Sequence, residues 1–485
     1  MGGKVFSKGD DALNIPRMPP TVYDVVKRQA QLALEELKFS RVASPIETPE
    51  KETFGDVDIL VCLEGKSVPF PPTAADFTNP DWDRVAKSLG AKRSMQFYTT
   101  GPGKKRIFDS MSFAIDWPLQ FASNPAGQKR ELGAEPTPRY VQVDVRLCDT
   151  QSEMEWRLYK HNHGDLWNMI GQTIRPFGLT ADEVGLHIRI PEFEEQNRKK
   201  ARVLLTSDPE QASAFLGLKW PNGGWNKEFR SLNDLFECAA SCRWFMLWPS
   251  DEDVEDNAKD GSDKEKKPPS DKKKEGTQKE QRPVFARWVD EFKPACRAKG
   301  RFLVPNPEER TWKTVREEVR EEVRKEAFKT FPGKEAEYDA RLTDWKKEEK
   351  RIKVKNTIIK EATFLPKDLK SYLPEPSDRD GDKGARLVAI ERQWRSVLIS
   401  ALQKIIVDDD DSFDGVAPPK LRDSKDVLDV DRVTDWLQIN WPDVGIVAWE
   451  RQRARARDHM DRSAAEEAGR KESGGTAGAA KDKKT

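Results

Sequence analysis

The chain holds 485 residues, with 84 Lys and Arg against 84 Asp and Glu, so its formal net charge is zero. Charged residues reach 35% and the hydrophobic set 36%, above the usual ~25% and below the usual ~45–50%, so part of the chain is expected not to pack. Neutrality argues against a globally basic nucleic-acid binder, the longest apolar runs fall short of the ~20 residues a bilayer crossing needs, and no G-X-Y or sustained heptad period marks a rod.

Residues 1–19 are polar and Pro-containing and read as a disordered arm. The opening MGGKVFSKGDD has no apolar run of a secretory signal, and Phe6 stands where a myristoylation motif needs Ser or Thr. Five sparse cysteines, Cys62, Cys148, Cys238, Cys242 and Cys296, show no CxxC spacing. A reducing intracellular setting, cytoplasmic or nuclear, fits them. Cys238 and Cys242 read as small buried apolar residues in a helix.

A helix is expected from Thr21, with Asp24 closing an acidic capping box and Val22, Val25, Val26, Ala30, Ala33 and Leu37 on one face. Short β-branched or aromatic runs follow at Phe39–Ala43, Asp56–Cys62, Met111–Trp117 and Tyr140–Leu147, with a short helix at Trp82–Leu89. Helices are expected at Glu153–Lys160 and Asp165–Arg175, and strands at Gly185–Ile190 and Arg202–Thr206. Two more helices follow, one opened by Ser207 or Asp208 before Pro209 and one over Ser231–Phe245. Residues 20–248 therefore form one α+β unit. Residues 249–284 are a charged linker without apolar periodicity, expected to be disordered. Its KEKKPPSDKKK run is compatible with nuclear import but reads more simply as solvated chain. Residues 285–460 read as a mostly α-helical C-terminal domain, with Trp312, Val315, Val319 and Val323 on one helix face and Leu387–Ile405 forming a better-buried helix. Residues 461–485 read as a disordered tail.

The chemistry concentrates in Gly55-Asp56-Val57-Asp58-Ile59-Leu60-Val61. Alternate side chains of a strand share a face, so Asp56 and Asp58 project together while Val57, Ile59 and Val61 enter the core. Two adjacent carboxylates repel unless a cation lies between them, and Mg²⁺ (or Mn²⁺) takes such oxygen ligands together with substrate phosphates. In Val141-Gln142-Val143-Asp144-Val145 the valines face one way and Gln142, Asp144 and Arg146 the other. An adjacent antiparallel strand would bring Asp144 to the first pair, and three carboxylates on one face can hold two metals.

GDVDILV followed by VQVDV resembles the nucleotidyltransferase fold of the DNA polymerase beta superfamily, in the order helix, strand, G-D-x-D, third Asp. HGDLWNMIGQTIRPFGL, GLHIRI and LLTSDPEQASAFLGL are similar to segments of uncharacterised nucleotidyltransferase-like proteins of viruses and fungi. The resemblance spans roughly residues 20–250. It implies a mixed sheet with flanking helices and transfer of a nucleoside monophosphate from an NTP to a hydroxyl acceptor. Asp56, Asp58 and Asp144 would be metal-binding and catalytic. Family members usually carry Gly-Ser before the Asp pair; here Ser44, Lys51 and Gly55 are the nucleotide-binding candidates. Two prolines and three glutamates in the 44–54 loop leave open a catalytically inactive binding or interaction protein on the same fold.

Other features have plainer readings. His161 and His163 suit local hydrogen bonding or capping, and His187 a satisfied, partly exposed strand position. The basic loop 101–106 lacks a P-loop pattern and suits a hairpin tip. The basic segment Arg451–Arg457 is a candidate contact for a nucleic-acid acceptor, although Trp436, Trp441 and Trp449 equally suit seating that helix on its domain.

Overall fold

The computed structural model describes residues 3–37, 39–62, 82–100, 106–121, 138–249, 282–361, 383–413, 416, 420–424 and 426–475. The charged linker (but for its first and last residues), the hairpin tip at 101–105 and residues 476–485 lie outside them. The chain divides into two units, Met1–Tyr338 and Asp339–Thr485.

In the first unit, strands β1 (Arg41–Ala43), β2 (Asp56–Cys62), β3 (Arg93–Thr100), β4 (Arg106–Asp116) and β5 (Tyr140–Cys148) form one sheet in the order β1-β2-β5-β4-β3. β2 and β5 run parallel; the other pairs are antiparallel. The antiparallel approach of Asp144 to the Asp pair expected from sequence is thus corrected. Helix α2 (Trp82–Ser88) and the β3–β4 hairpin lie between β2 and β5 in the chain, supplying the long crossover a parallel pair requires. β3 was not anticipated: Arg93-Ser94-Met95-Gln96-Phe97-Tyr98 is an edge strand whose apolar residues Met95, Phe97 and Tyr98 stay exposed, so no inside–outside alternation marks it.

Helix α1 (Pro20–Glu35) opens with Pro20 at its first turn and no side-chain cap, so the Thr21–Asp24 capping box does not form. Proline's fixed φ preorganises that turn without the hydroxyl. Val22, Val26, Ala30 and Leu34 of α1 pack on Val57, Ile59, Val61, Val141, Val143 and Val145 of the sheet. Each such fully buried Val or Leu contributes about 1.5–3 kcal/mol relative to an exposed one. The opposite face is covered along part of its length by α3 (Gln151–His161), whose Met154 and Leu158 pack on Leu60, Cys62 and Cys148.

A second, three-stranded antiparallel sheet follows: β6 (Leu179–Ala181), β7 (Leu186–Arg189) and β8 (Arg202–Thr206). It is accompanied by helices α4 (Leu166–Ile174), α5 (Pro191–Glu194), α6 (Pro209–Leu216) and α7 (Leu232–Ala240). Asp208 caps α6, accepting from the Glu210 and Gln211 amides at 2.8 and 2.9 Å. The five cysteines are free and buried.

Two expected boundaries are corrected. Residues 285–338 pack with the first unit rather than with the helical domain. Trp288 lies 5.7 Å from Phe236 between ring centres, Trp312 lies 5.9 Å from Phe177, and Arg301 makes two hydrogen bonds to Glu237. Aromatic side chains on these helices hold them there, although the charged 249–284 stretch suggests separation. The second correction concerns the N-terminal arm: residues 3–18 are tied down by backbone pairing. Met18 and Phe54 exchange both hydrogen bonds (2.8 and 2.9 Å), and Tyr140 donates to the Asn14 carbonyl at 2.9 Å.

The second unit is built on helices Lys383–Val407 and Val430–Gly475, with Val354 and Ile358 in their core beside Trp394, Leu398, Leu402, Ile405, Leu437 and Trp449. The expected tail is corrected as well: helix continues to Gly475, through an Ala- and Glu-rich stretch of strong helix formers. No helix of the described residues is long and apolar enough to cross a membrane.

Candidate active site

The parallel register of β2 and β5 sets Asp58 opposite Asp144, Asp56 opposite Gln142 and Leu60 opposite Arg146. On the far side of β5, β4 sets Ser112 opposite Asp144 and Ser110 opposite Arg146. By the two-residue period of a strand, Asp56, Asp58, Gln142, Asp144, Arg146 and Ser112 therefore share one face. Because α3 covers only the Leu60–Cys62 and Cys148 end, the acidic half of that face is left to hydrogen-bond chemistry. The three carboxylates singled out from sequence are brought together.

Asp144 is held firmly. Gln142 Nε2 donates to both of its oxygens at 2.9 Å, and Ser112 Oγ donates to Oδ1 at 2.5 Å. Gln142 is 1% exposed and Ser112 3%, so neither bond competes with bulk water. The Asp144 carboxyl is pushed up to about 6, chiefly by burial and then by the charge of Asp56, against the pull of Ser112 and Gln142. The Asp56 carboxyl is also raised, again by burial first, while the Gly3 amide (3.0 Å from Oδ2) and Lys51 oppose the shift. Asp58 rises to about 7 through burial and through the charges of Asp56, Asp144 and Glu47. Asp58 is nonetheless the most solvent-accessible of the three, so the neighbouring carboxylates deserve more weight than desolvation in its shift.

Glu47 enters this group from the loop between β1 and β2, accepting from Tyr23 Oη at 2.6 Å and from Lys51 Nζ at 2.5 Å. The loop is irregular from Ser44 to Phe54, with no helix N-terminus to aim amides at a phosphate. It is fixed instead by the Asn162 side chain on the Ile46 amide (2.8 Å) and by the His163 amide on the Ile46 carbonyl (2.7 Å). Ser44 accepts from Gln31 at 3.2 Å. Lys51 is paired with Glu47 and lies 4.6 Å over the Phe54 ring. Gly55 is buried, and its carbonyl is closely approached by Gly3. Ser44 and Lys51 are thus engaged with protein groups rather than gathered into an anion cradle.

Gln142, Ser112 and Glu47 are the parts of the site that sequence reasoning did not assign. Gln142 carried a signal, since it alternates with Asp144 on β5. Ser112 carried none, because its place depends on the register between β4 and β5.

The donors suit a hard divalent cation: all are oxygens, and their raised proton affinity marks like charge without full compensation. Among the described residues, however, no group of three His, Cys, Asp or Glu side chains is arranged to hold a metal ion. Both oxygens of Asp144 and Oδ2 of Asp56 are turned to Ser112, Gln142 and Gly3, so binding through them requires these bonds to be exchanged.

The remaining candidates are structural. His163 is buried and donates from Nε2 to the Trp225 carbonyl at 2.9 Å, a distant rather than a local partner; burial lowers its pKa. His161 faces Glu183 at 3.3 Å. His187 is buried rather than partly exposed, with Nδ1 2.9 Å from the Gly185 carbonyl. In the second unit Trp436 and Trp449 are buried in the core, while Arg451 bonds the Ser412 carbonyl at 2.8 Å and Arg453, Arg455 and Arg457 are exposed.

No family model matches the chain, and no curated protein matches it either.

Proposed function

We infer that the chain is a divalent-cation-dependent nucleotidyltransferase, joining a nucleoside monophosphate from an NTP to a hydroxyl acceptor with release of pyrophosphate. The observation that carries this reading is the in-register pair Asp58–Asp144 on neighbouring parallel strands, with Asp56 two residues away on the same face. Asp56 and Asp58 would hold the cation and Asp144 would complete its ligands. Mg²⁺ or Mn²⁺ bound there supplies Lewis-acid stabilisation of phosphate charge. Gln142 and Ser112 orient Asp144. Asp144 would complete the site at which the cation lowers the pKa of the acceptor hydroxyl. The exposed arginines at 453, 455 and 457 offer a nucleic-acid acceptor a phosphate contact.

A second reading, a binding protein that keeps the fold without catalysis, is favoured by one specific feature. The Ser44–Phe54 loop offers no free cradle, because Lys51 is neutralised by Glu47 and Ser44 is bonded to Gln31. Incubation with each labelled NTP, Mg²⁺ or Mn²⁺ and candidate acceptors decides between the two. The enzyme reading expects transfer that Asp58→Asn abolishes; no transfer, or equal transfer by both proteins, leaves the binding reading.

A further inference from the structure

The acidic face carries an occupant from its own chain. Gly3 donates its amide to Asp56 Oδ2 at 3.0 Å, and Val5 donates to Gln142 Oε1 at 3.1 Å, the same Gln142 whose amide nitrogen holds Asp144. Phe6 beside them is 2% exposed. The approach of Gly3 is possible only for glycine. Its φ is +80°, and a Cβ built there would meet the Gly55 carbonyl oxygen at 2.1 Å, backbone against backbone. The bonds that retain residues 3–6 differ in kind from those that retain residues 14–18. The latter are backbone pairings at the entrances to β2 and β5 (Met18 with Phe54, Asn14 with Tyr140), which need no functional side chain. Among the former, the Gly3 and Val5 amides end on side chains of the acidic face, while the Phe6 carbonyl accepts from the Leu13 amide.

We propose that residues Gly3–Phe6 form an autoinhibitory latch, occupying Asp56 Oδ2 and Gln142 Oε1 until a divalent cation competes them away. This rests on the reading of the acidic face as a cation site. A cation taken up through Asp56 Oδ2 replaces the Gly3 amide, so cation binding and latch closure oppose each other, and each weakens the other by the same factor. Residues 14–18 keep the released segment tethered beside the site.

The test uses the full chain, its Gly3→Val variant, which the Gly55 carbonyl bars from the closed position, and its Val5→Pro variant, which lacks the donor to Gln142. An unchanged near-ultraviolet circular dichroism spectrum establishes that a variant is folded. Free Mn²⁺ is titrated by its electron paramagnetic resonance signal, and amide exchange is followed over residues 3–7. The latch predicts that both variants bind Mn²⁺ more tightly than the parent: Gly3→Val about tenfold, the order expected for losing a hydrogen bond to a charged oxygen, and Val5→Pro about threefold, for losing one to a neutral amide oxygen. It also predicts that Mn²⁺ accelerates exchange of residues 3–7 in the parent. Equal affinity in all three proteins, absence of Mn²⁺ binding in all three, or exchange indifferent to Mn²⁺ overturns it. A Gly3→Val protein that binds Mn²⁺ more tightly yet transfers no labelled nucleotide leaves the latch standing and removes the nucleotidyltransferase reading alone.

Discussion

Replacing Asp58 by Asn should stabilise the cation-free protein at alkaline pH and leave it unchanged in acid. Asp58 is held at about 7 against an ordinary 3.8. At 1.36 kcal/mol per unit this sets a ceiling of about 4 kcal/mol of unfavourable ionisation in the folded state. Asp58 is open to solvent, where screening weakens charge interactions, so a gain of about 1–2 kcal/mol is the realistic expectation. The folded-state pKa lies above the unfolded one, so between roughly pH 4 and pH 7 the native protein binds more protons than the unfolded chain and loses stability as pH rises. The advantage of the uncharged Asn therefore grows through that window and is complete above pH 7. Urea denaturation of both proteins at pH 5 and pH 8, without divalent cations, measures it. A variant less stable than the parent at pH 8, or equally shifted at both pH values, would refute the view that unbalanced carboxylate charge dominates this face.

Four further outcomes follow from the same geometry. Gln142→Leu leaves the Val5 amide and a buried Asp144 oxygen without their partner and should cost about 2 kcal/mol in urea denaturation. Gly164→Ala places a Cβ 1.9 Å from Thr48 Oγ1 at a φ of +59°, and should cost about 2 kcal/mol; adding Thr48→Ala should restore the part due to the clash, and no rescue would place the cost in the backbone alone. His163 is held below its ordinary 6.5 by burial, so below about pH 6.5 the unfolded chain takes up a proton the folded one resists, and stability falls with acid. His163→Gln should flatten that acid limb in a pH series of thermal midpoints. Gly445→Ala drives a Cβ to 2.5 Å from Trp394 Cζ2 and should cost the second unit about 1–3 kcal/mol, read from Trp fluorescence during unfolding.

The sequence disclosed the acidic face further than the frame around it. Asp56–Cys62 was delimited to the residue, because a glycine, an apolar alternation and charged flanks all mark the same strand. That Asp144 shares its face was legible from Val141, Val143 and Val145. The direction of pairing was not, since period two is identical in parallel and antiparallel strands. β3 escaped notice because an edge strand with both faces open needs no alternation, and β6, only three residues long, is shorter than any pattern. The arm was misread for a related reason. Its retention depends on backbone amides of Gly3, Val5 and Met18, which composition does not reveal. The attachment of residues 285–338 to the first unit likewise rests on Trp288, Trp312 and Arg301, beyond a charged 249–284 stretch whose composition argues for separation.

The insertion of β5 between β2 and β4 has a consequence for how the protein is made. Until residues 140–148 arrive, β2 has only the three-residue β1 for a neighbour, β4 has only β3, and each offers an open edge to other chains. Asp58 and Asp144 become neighbours only when that last strand slides between two others already synthesised, closing a loop of more than eighty residues in the slow, non-local manner of such pairings. A nascent or nicked chain lacking β5 therefore has no acidic site at all, and its most aggregation-prone moment ends as the site is born.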